Sequence, residues 1–238
     1  MTAERIRYAI LALVVAVAAF ALYHQYQATR PCAEPITYSI ASIDPRFNLS
    51  SPTALAEAEA AAAIWNAAAG KTLLEYSPQG EVGISFVYDS RQSLAKLGAQ
   101  IAEEQAASEE EREQIEAERP SVTWENAVAF NAEVASYNAS VASLNQEIAS
   151  YDSQAGGTFE EGEYTQDSSG RRITIYEFIG TSQLERVLAH EFGHALGLGH
   201  NNDPASIMYA ENESGNLTPT AEDLTALKAV CGSQIRVK

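Results

Sequence analysis

The stretch that decides the fold lies near the C-terminus and combines three histidines, a glutamate and a glycine at fixed spacing. It is His190-Glu191-Phe192-Gly193-His194-Ala195-Leu196-Gly197-Leu198-Gly199-His200. Positions four apart share one face of a helix, so His190 and His194 can bind one ion. Gly197 can adopt the left-handed conformation that ends the helix and returns the chain, which makes His200 a third ligand. Three protein ligands leave a fourth position open, as in catalytic rather than structural zinc sites.

Glu191 directly follows the first ligand and can lie beside the metal without binding it. A carboxylate in that position takes a proton from zinc-bound water and acts as a general base. The alternative is a helix with incidental histidines. The chain has only four histidines, and His24 alone lies outside the motif, which favours the zinc site.

The motif H-E-x-x-H-x-x-G-x-x-H, followed by Ser206-Ile207-Met208-Tyr209, resembles the metzincin metalloproteases and, within them, the matrixins. The resemblance implies that His190, His194 and His200 bind Zn²⁺, that Glu191 is the catalytic base, and that Met208 forms the Met-turn beneath the metal. This chain departs from matrixins at Asn201, where they usually carry Ser, and at Ala210, where Pro usually follows Met-Tyr.

The remaining pattern predicts an α+β fold, in which a mixed twisted sheet packs against an active-site helix and a C-terminal helix. Apolar alternation predicts strands at Ile36–Ile40, Leu73–Tyr76, Val82–Tyr88, Thr158–Tyr164 and Arg172–Phe178. Helices are predicted at Thr53–Ala69, from a Ser182/Glu185 capping box through the zinc motif, and from Thr218-Pro219 to Gly232. One of the last two strands is expected to form the edge above the cleft and to bind an extended peptide.

Between these strands the chain has a helical period of its own. Apolar residues recur at spacings of three and four, at Ala127, Phe130, Val134, Tyr137, Val141, Leu144, Ile148 and Tyr151. Arg119-Pro120-Ser121 separates this run from a poorer one that begins at Leu94. The pattern predicts an inserted antiparallel coiled-coil hairpin, either a simple spacer or a surface for a helical partner or for self-association. Because it contains no ligand or base, we expect zinc chemistry to survive its removal.

The N-terminus carries a targeting segment. Residues 8–22 form a nearly continuous apolar run preceded by Arg5 and Arg7, which predicts either an uncleaved transmembrane helix or a cleaved signal peptide. Because a basic flank stays in the cytoplasm, the catalytic domain is expected outside it, membrane-anchored if the segment is retained and secreted if it is cleaved.

The two cysteines, Cys32 and Cys231, leave two hypotheses open. In an exported protein an even cysteine count favours a disulfide, which here would join both ends of the catalytic domain. Alternatively, Arg30-Pro31-Cys32-Ala33-Glu34-Pro35 resembles the matrixin Cys-switch segment, in which a thiolate blocks the zinc of the latent enzyme.

These observations divide the chain into an anchor or signal segment (1–30), a catalytic domain in two parts (31–90 and 153–238) and the hairpin (91–152). The predicted function is zinc-dependent hydrolysis of peptide bonds in a peptide or protein substrate. The alternative is a membrane-anchored interaction protein that presents the hairpin and carries a non-catalytic zinc site. A net charge of −17 argues against nucleic acid as a partner.

Overall fold

A mixed sheet forms the centre of the fold. The computed structural model describes residues 31–155, 160–211 and 215–236, together with Leu13 and Phe20. Within them the strands are β1 (Ile36–Ile43), β2 (Leu74–Tyr76), β3 (Val82–Phe86), β4 (Gly162–Asp167) and β5 (Gly170–Ile175), in the order β2-β1-β3-β5-β4. Only β4 is antiparallel to its neighbour. The predicted α+β class with a mixed sheet is confirmed, with the strand ends shifted by a few residues.

Five α-helices accompany the sheet in the described part of the chain: α1 (Ser51–Ala69), α2 (Ser90–Glu118), α3 (Ala127–Gln154), α4 (Gly180–Ala195) and α5 (Ala221–Cys231). Helix α1 packs against α4, the helix of the zinc motif. Its buried face is mostly alanine, and small side chains allow two helix backbones to approach closely. Trp65 fills the remaining space, and its indole Nε1 donates to the carbonyl of Ala189 in α4 over 2.7 Å. This contact fixes α4 one residue before the first histidine.

The apolar face of α4 lies in the core, as its spacing predicts. Leu184, Leu188 and Phe192 are fully buried, and the Phe192 ring lies 4.9 Å from that of Tyr38 in β1. Burying a side chain of this size contributes about 1.5–3 kcal/mol. The same contacts therefore stabilise the fold and hold the zinc motif against the sheet.

The predicted starts of the last two helices are wrong. Helix α4 begins at Gly180, and no side-chain cap covers its N-terminus. Instead, Gln183 Oε1 accepts a hydrogen bond from the N–H of Ile179 over 2.6 Å. The capping box lies in α5, where the side chains of Thr220 and Asp223 exchange hydrogen bonds with each other's backbone N–H groups. A capping-box pattern is therefore a weak indicator where tertiary contacts satisfy the helix end by another route.

Helices α2 and α3, joined by a 3-10 turn at Arg119–Ser121, pack along each other and are called here the helical arm. The aromatic ring of Tyr151 lies against Gly98, and Ile101, Ile115 and Leu144 are buried. All eight predicted seam residues of α3 are at least partly buried. Whether the arm is an insertion and a coiled coil stays a prediction, as do the domain boundaries.

A disulfide between Cys32 and Cys231, across a sequence separation of 199 residues, joins the segment before β1 to the end of α5. Of the two hypotheses for the cysteines, the disulfide is therefore confirmed and the Cys-switch is not. The predicted membrane anchor lies outside the described residues except for Leu13 and Phe20. In the part of the chain that is described, no helix combines the length and apolar character needed to cross a bilayer.

Candidate metal centre and active site

The three motif histidines converge on one point. The Nε2 atoms of His190, His194 and His200 lie 3.1–3.2 Å from one another. Helix α4 supplies the first two. Gly197, with φ +94°, reverses the chain after the helix and brings in the third. The left-handed conformation at this position favours glycine, so the turn that delivers His200 depends on it.

The backbone fixes which ring nitrogen faces the centre. His190 Nδ1 lies 2.7 Å from the carbonyl of Ile207, and His194 Nδ1 lies 2.9 Å from that of Leu198. Because a carbonyl only accepts, each Nδ1 carries the proton and each Nε2 presents a lone pair. Burial also lowers the pKa of His190, to about 4, and lowers that of His194. Both rings are thus neutral at neutral pH, the form that binds a metal.

This donor set fits zinc. The Nε2 atoms of His190 and His194 both present lone pairs and lie 3.1 Å apart. Neither can donate a hydrogen bond to the other, so a bound cation is needed to offset their repulsion. Zn–N bonds of about 2.0–2.1 Å in tetrahedral geometry place ligand nitrogens roughly 3.3–3.4 Å apart, close to the spacing observed here. A search of the described residues for side chains close enough to hold one metal ion finds the group His190, His194 and His200.

Glu191 directly follows His190 in α4 and is only 4% exposed. Its Oε2 atom is buried without a hydrogen-bond partner. Burial raises the pKa of Glu191 to about 8 in the metal-free protein; a backbone hydrogen bond from Tyr164 partly offsets this, and the negative charge of Glu160 adds to it. A bound dication would favour the ionised carboxylate and lower this pKa, and the Oε2 atom, which has no protein partner, could then accept a proton from water.

The edge strand β4 passes directly over Glu191, and a glycine makes that approach feasible. A Cβ atom at Gly162 would lie 2.9 Å from Glu191 Oε1 and 2.9 Å from Val187 Cγ1. Within the described part of the chain β4 pairs with β5 alone, so its outer edge is open to an extended peptide except at Tyr164, whose backbone hydrogen bond goes to Glu191.

Met208 packs against the zinc-motif helix at Gly193, one residue before His194. It is fully buried, and its Sδ atom packs so closely on Gly193 that a Cβ there would overlap it. Trp65 contacts the same glycine position. Gly193 is therefore required in the zinc motif because the Met-turn occupies the space of its side chain.

Two charged residues that the sequence analysis missed hold the Met-turn through hydrogen bonds to its backbone. The fully buried Asp223 accepts hydrogen bonds from the N–H groups of Ile207 and Met208 and from the hydroxyl of Ser206. Arg186, 2% exposed, donates to the carbonyls of Ile207 and Ser206 over 2.7 Å each. Ile207 O also accepts from His190, so this pair positions a zinc ligand. Asp223 was detectable in the sequence as the partner of Thr220 in a capping box, whereas helical spacing places Arg186 away from the apolar face of α4 and gave no signal for it.

Comparison with known proteins assigns the chain to a family. The sequence profile of the matrixin peptidases matches residues 31–232. The chain belongs to the matrixin family. It is 43% identical to human neutrophil collagenase over 49 residues, which cover 19% of this chain and 10% of the collagenase. It is 40% identical to a probable matrix metalloproteinase of Invertebrate iridescent virus 3 over 63 residues, 26% of this chain and 17% of the viral protein.

A further match, to bovine interstitial collagenase, is 42% identical over 50 residues, 21% of this chain and 11% of the collagenase. The matched segments thus span less than a fifth of each of these relatives. Family membership makes zinc the metal of this matrixin, in agreement with its histidine triad. The unusual Asn201 belongs to the Met-turn network, because its amide donates to Ser206 Oγ and Asp223 Oδ1.

Proposed function

We propose that this matrixin is a zinc-dependent endopeptidase that cleaves peptide bonds by general base catalysis. The observation that carries the proposal is the convergence of three histidine Nε2 atoms in a motif whose Glu191, the residue after His190, has a buried carboxylate oxygen without a partner. Membership of a peptidase family supports it independently.

The histidines and Glu191 have separate roles in this reaction. His190, His194 and His200 hold the zinc ion, which when bound supplies a Lewis acid that polarises the scissile carbonyl and acidifies water. Glu191 accepts a proton from the attacking water and later donates it to the departing amine. Its burial under β4 excludes bulk water from the proton it holds, so the proton passes to the substrate rather than to solvent.

The free edge of β4 supplies the substrate-binding surface. An extended peptide paired with this edge would pass over Gly162 and bring its backbone close to Glu191. Main-chain hydrogen bonds of this kind recognise any extended peptide, so they favour an endopeptidase that acts within a chain over an enzyme specific for a terminus.

We also infer that the catalytic body works outside the cytoplasm, attached to a membrane if residues 1–30 are retained. The disulfide between Cys32 and Cys231 supports this location, because disulfides persist in oxidising compartments.

At the turn of the helical arm, Trp124 and Val128 are 85% and 80% exposed. Exposed apolar side chains at such a site support a contact with a second protein.

The test compares Glu191→Gln with His200→Ala in the purified catalytic body. Loss of the base should lower kcat by about 10²–10⁴-fold at full zinc content. Loss of the third ligand should lower zinc content and activity together. Wild-type hydrolysis by Glu191→Gln would overturn the mechanism. Absence of any hydrolysis by zinc-loaded wild type across a proteome-derived peptide library would instead favour an interaction protein with a non-catalytic metal site.

A further inference from the structure

The first turn of the helical arm is joined to the residue that leads into α4. Gln92 is 1% exposed, although glutamine is usually a surface residue. Its Nε2 donates to the carbonyl of Phe178 over 3.0 Å, and its Oε1 accepts from the N–H of Phe178 over 2.9 Å. One side chain thus satisfies both backbone groups of the partly buried Phe178, as a neighbouring strand would.

Arg91 makes a second connection, to residues near the start of β4. Its guanidinium carbon lies 3.3 Å from the ring centroid of Tyr176. Its Nη2 pairs with Asp89 Oδ2 at 2.6 Å, and its Nη1 donates to the carbonyl of Glu160, two residues before β4, over 3.4 Å. Tyr176 continues the chain of contacts, since its hydroxyl donates to Glu163 Oε2 and its N–H to the carbonyl of Glu161.

These contacts meet at the start of β4. Glu161 and Glu163 flank Gly162, the residue that lies over the catalytic Glu191. Gln183, in the first turns of α4, donates to Glu161 Oε1 over 2.7 Å. The base of the arm, the start of α4 and the beginning of the edge strand therefore form one network of hydrogen bonds that ends at the cleft.

We propose that Arg91 and Gln92 are positioning residues that hold the start of β4 over Glu191, so that the base of the helical arm is part of the substrate-binding apparatus. The proposal rests on the proposed function, because it concerns the same cleft. Pairing of a peptide with β4 is made in the ground state and the transition state alike. Loss of this support should therefore raise KM and leave kcat nearly unchanged.

The prediction that zinc chemistry survives removal of the helical arm therefore has to separate the base of the arm from the rest of it. A deletion that starts at residue 92 removes Gln92 itself and should weaken peptide binding. A deletion confined to 106–140 keeps Arg91, Gln92 and the packing of Tyr151 on Gly98, and should leave KM unchanged.

The deciding experiment compares Arg91→Met with Arg112→Met. Arg112 lies on the same helix and forms ion pairs with Glu109 and Glu116 on the surface of the arm, so its loss controls for removal of a charge and an ion pair. In Arg91→Met we expect hydrogen exchange of the β4 amides to rise about tenfold in both zinc-free and zinc-loaded protein, the effect of losing about one hydrogen bond. KM for an extended peptide should rise by a similar factor, while zinc content and kcat stay near wild type.

Two further variants keep the test decisive. Arg91→Lys retains the pairing with Asp89 but lacks the planar stacking group, and should give an intermediate KM. Gln92→Met tests the second connection if Arg91→Met does not fold. Unchanged β4 exchange and KM in the folded variants would overturn the proposal. If wild type showed no hydrolysis, the proposed function would fail, and the exchange data would still decide the role of Arg91.

Discussion

Substitution of Gly162 by alanine should separate the geometry of the catalytic base from the metal site. The added Cβ would lie 2.9 Å from Glu191 Oε1 and 3.0 Å from Glu191 Cγ. Carbon contacts are comfortable at about 3.5–4.0 Å, so the strand and the carboxylate must separate by roughly 0.5–1 Å. A displacement of about 1 Å in a catalytic group can cost around 10²-fold in rate. We expect kcat to fall about 10- to 100-fold while zinc stays bound, because no histidine ligand is touched.

The assay combines kcat for an internally quenched peptide with zinc content measured by mass spectrometry. Gly83→Ala is the matched control: it also places a methyl group in a strand of the same sheet, but at an ordinary 3.4 Å from Ala41 Cβ. A Gly162→Ala enzyme with wild-type kcat would refute the inferred approach of β4 to Glu191.

The other predictions concern the support of the site and the stability of the fold. Asp223→Ala leaves the buried N–H of Ile207 without its acceptor and removes one of the two acceptors of the Met208 N–H; it should cost about 3 kcal/mol and weaken zinc binding in a competition titration. Cys231→Ser opens a loop of 199 residues, for which chain entropy gives about 5 kcal/mol as an upper figure; the melting temperature should fall by at least about 5 °C, and an unchanged value would refute the argument. Burial, followed by the charge of Glu161, raises the pKa of Glu177 to about 7. The protonated form is therefore favoured in the folded state, and this stability is present below pH 4.5 and lost as pH rises through 7. Glu177→Gln should accordingly stabilise the protein by about 1–2 kcal/mol at pH 8 and not at pH 4, as measured by denaturant unfolding at both values.

The sequence alone was sufficient for the zinc motif because its information is local. His190 and His194 share a helix face by the period of the helix, and Gly197 ends that helix because of its own backbone freedom. The apolar face of α4 and the strands of the sheet follow from periodicities of the same short range. The disulfide followed from a count of two cysteines and an inferred compartment.

Contacts between residues far apart in the chain could be identified only from the tertiary structure. The start of α4 could not be read from its cap, because Gln183 and the connection held by Gln92 replace the Ser182 capping box that local pattern favoured. No period in the sequence indicates that Arg186 and Asp223 form hydrogen bonds to the backbone of the Met-turn. Nor does any period indicate that the base of the helical arm contacts the edge of the cleft. Local preferences specify which residues can form a site, whereas the packing of elements against one another decides which buried polar groups find partners and thereby hold that site in place.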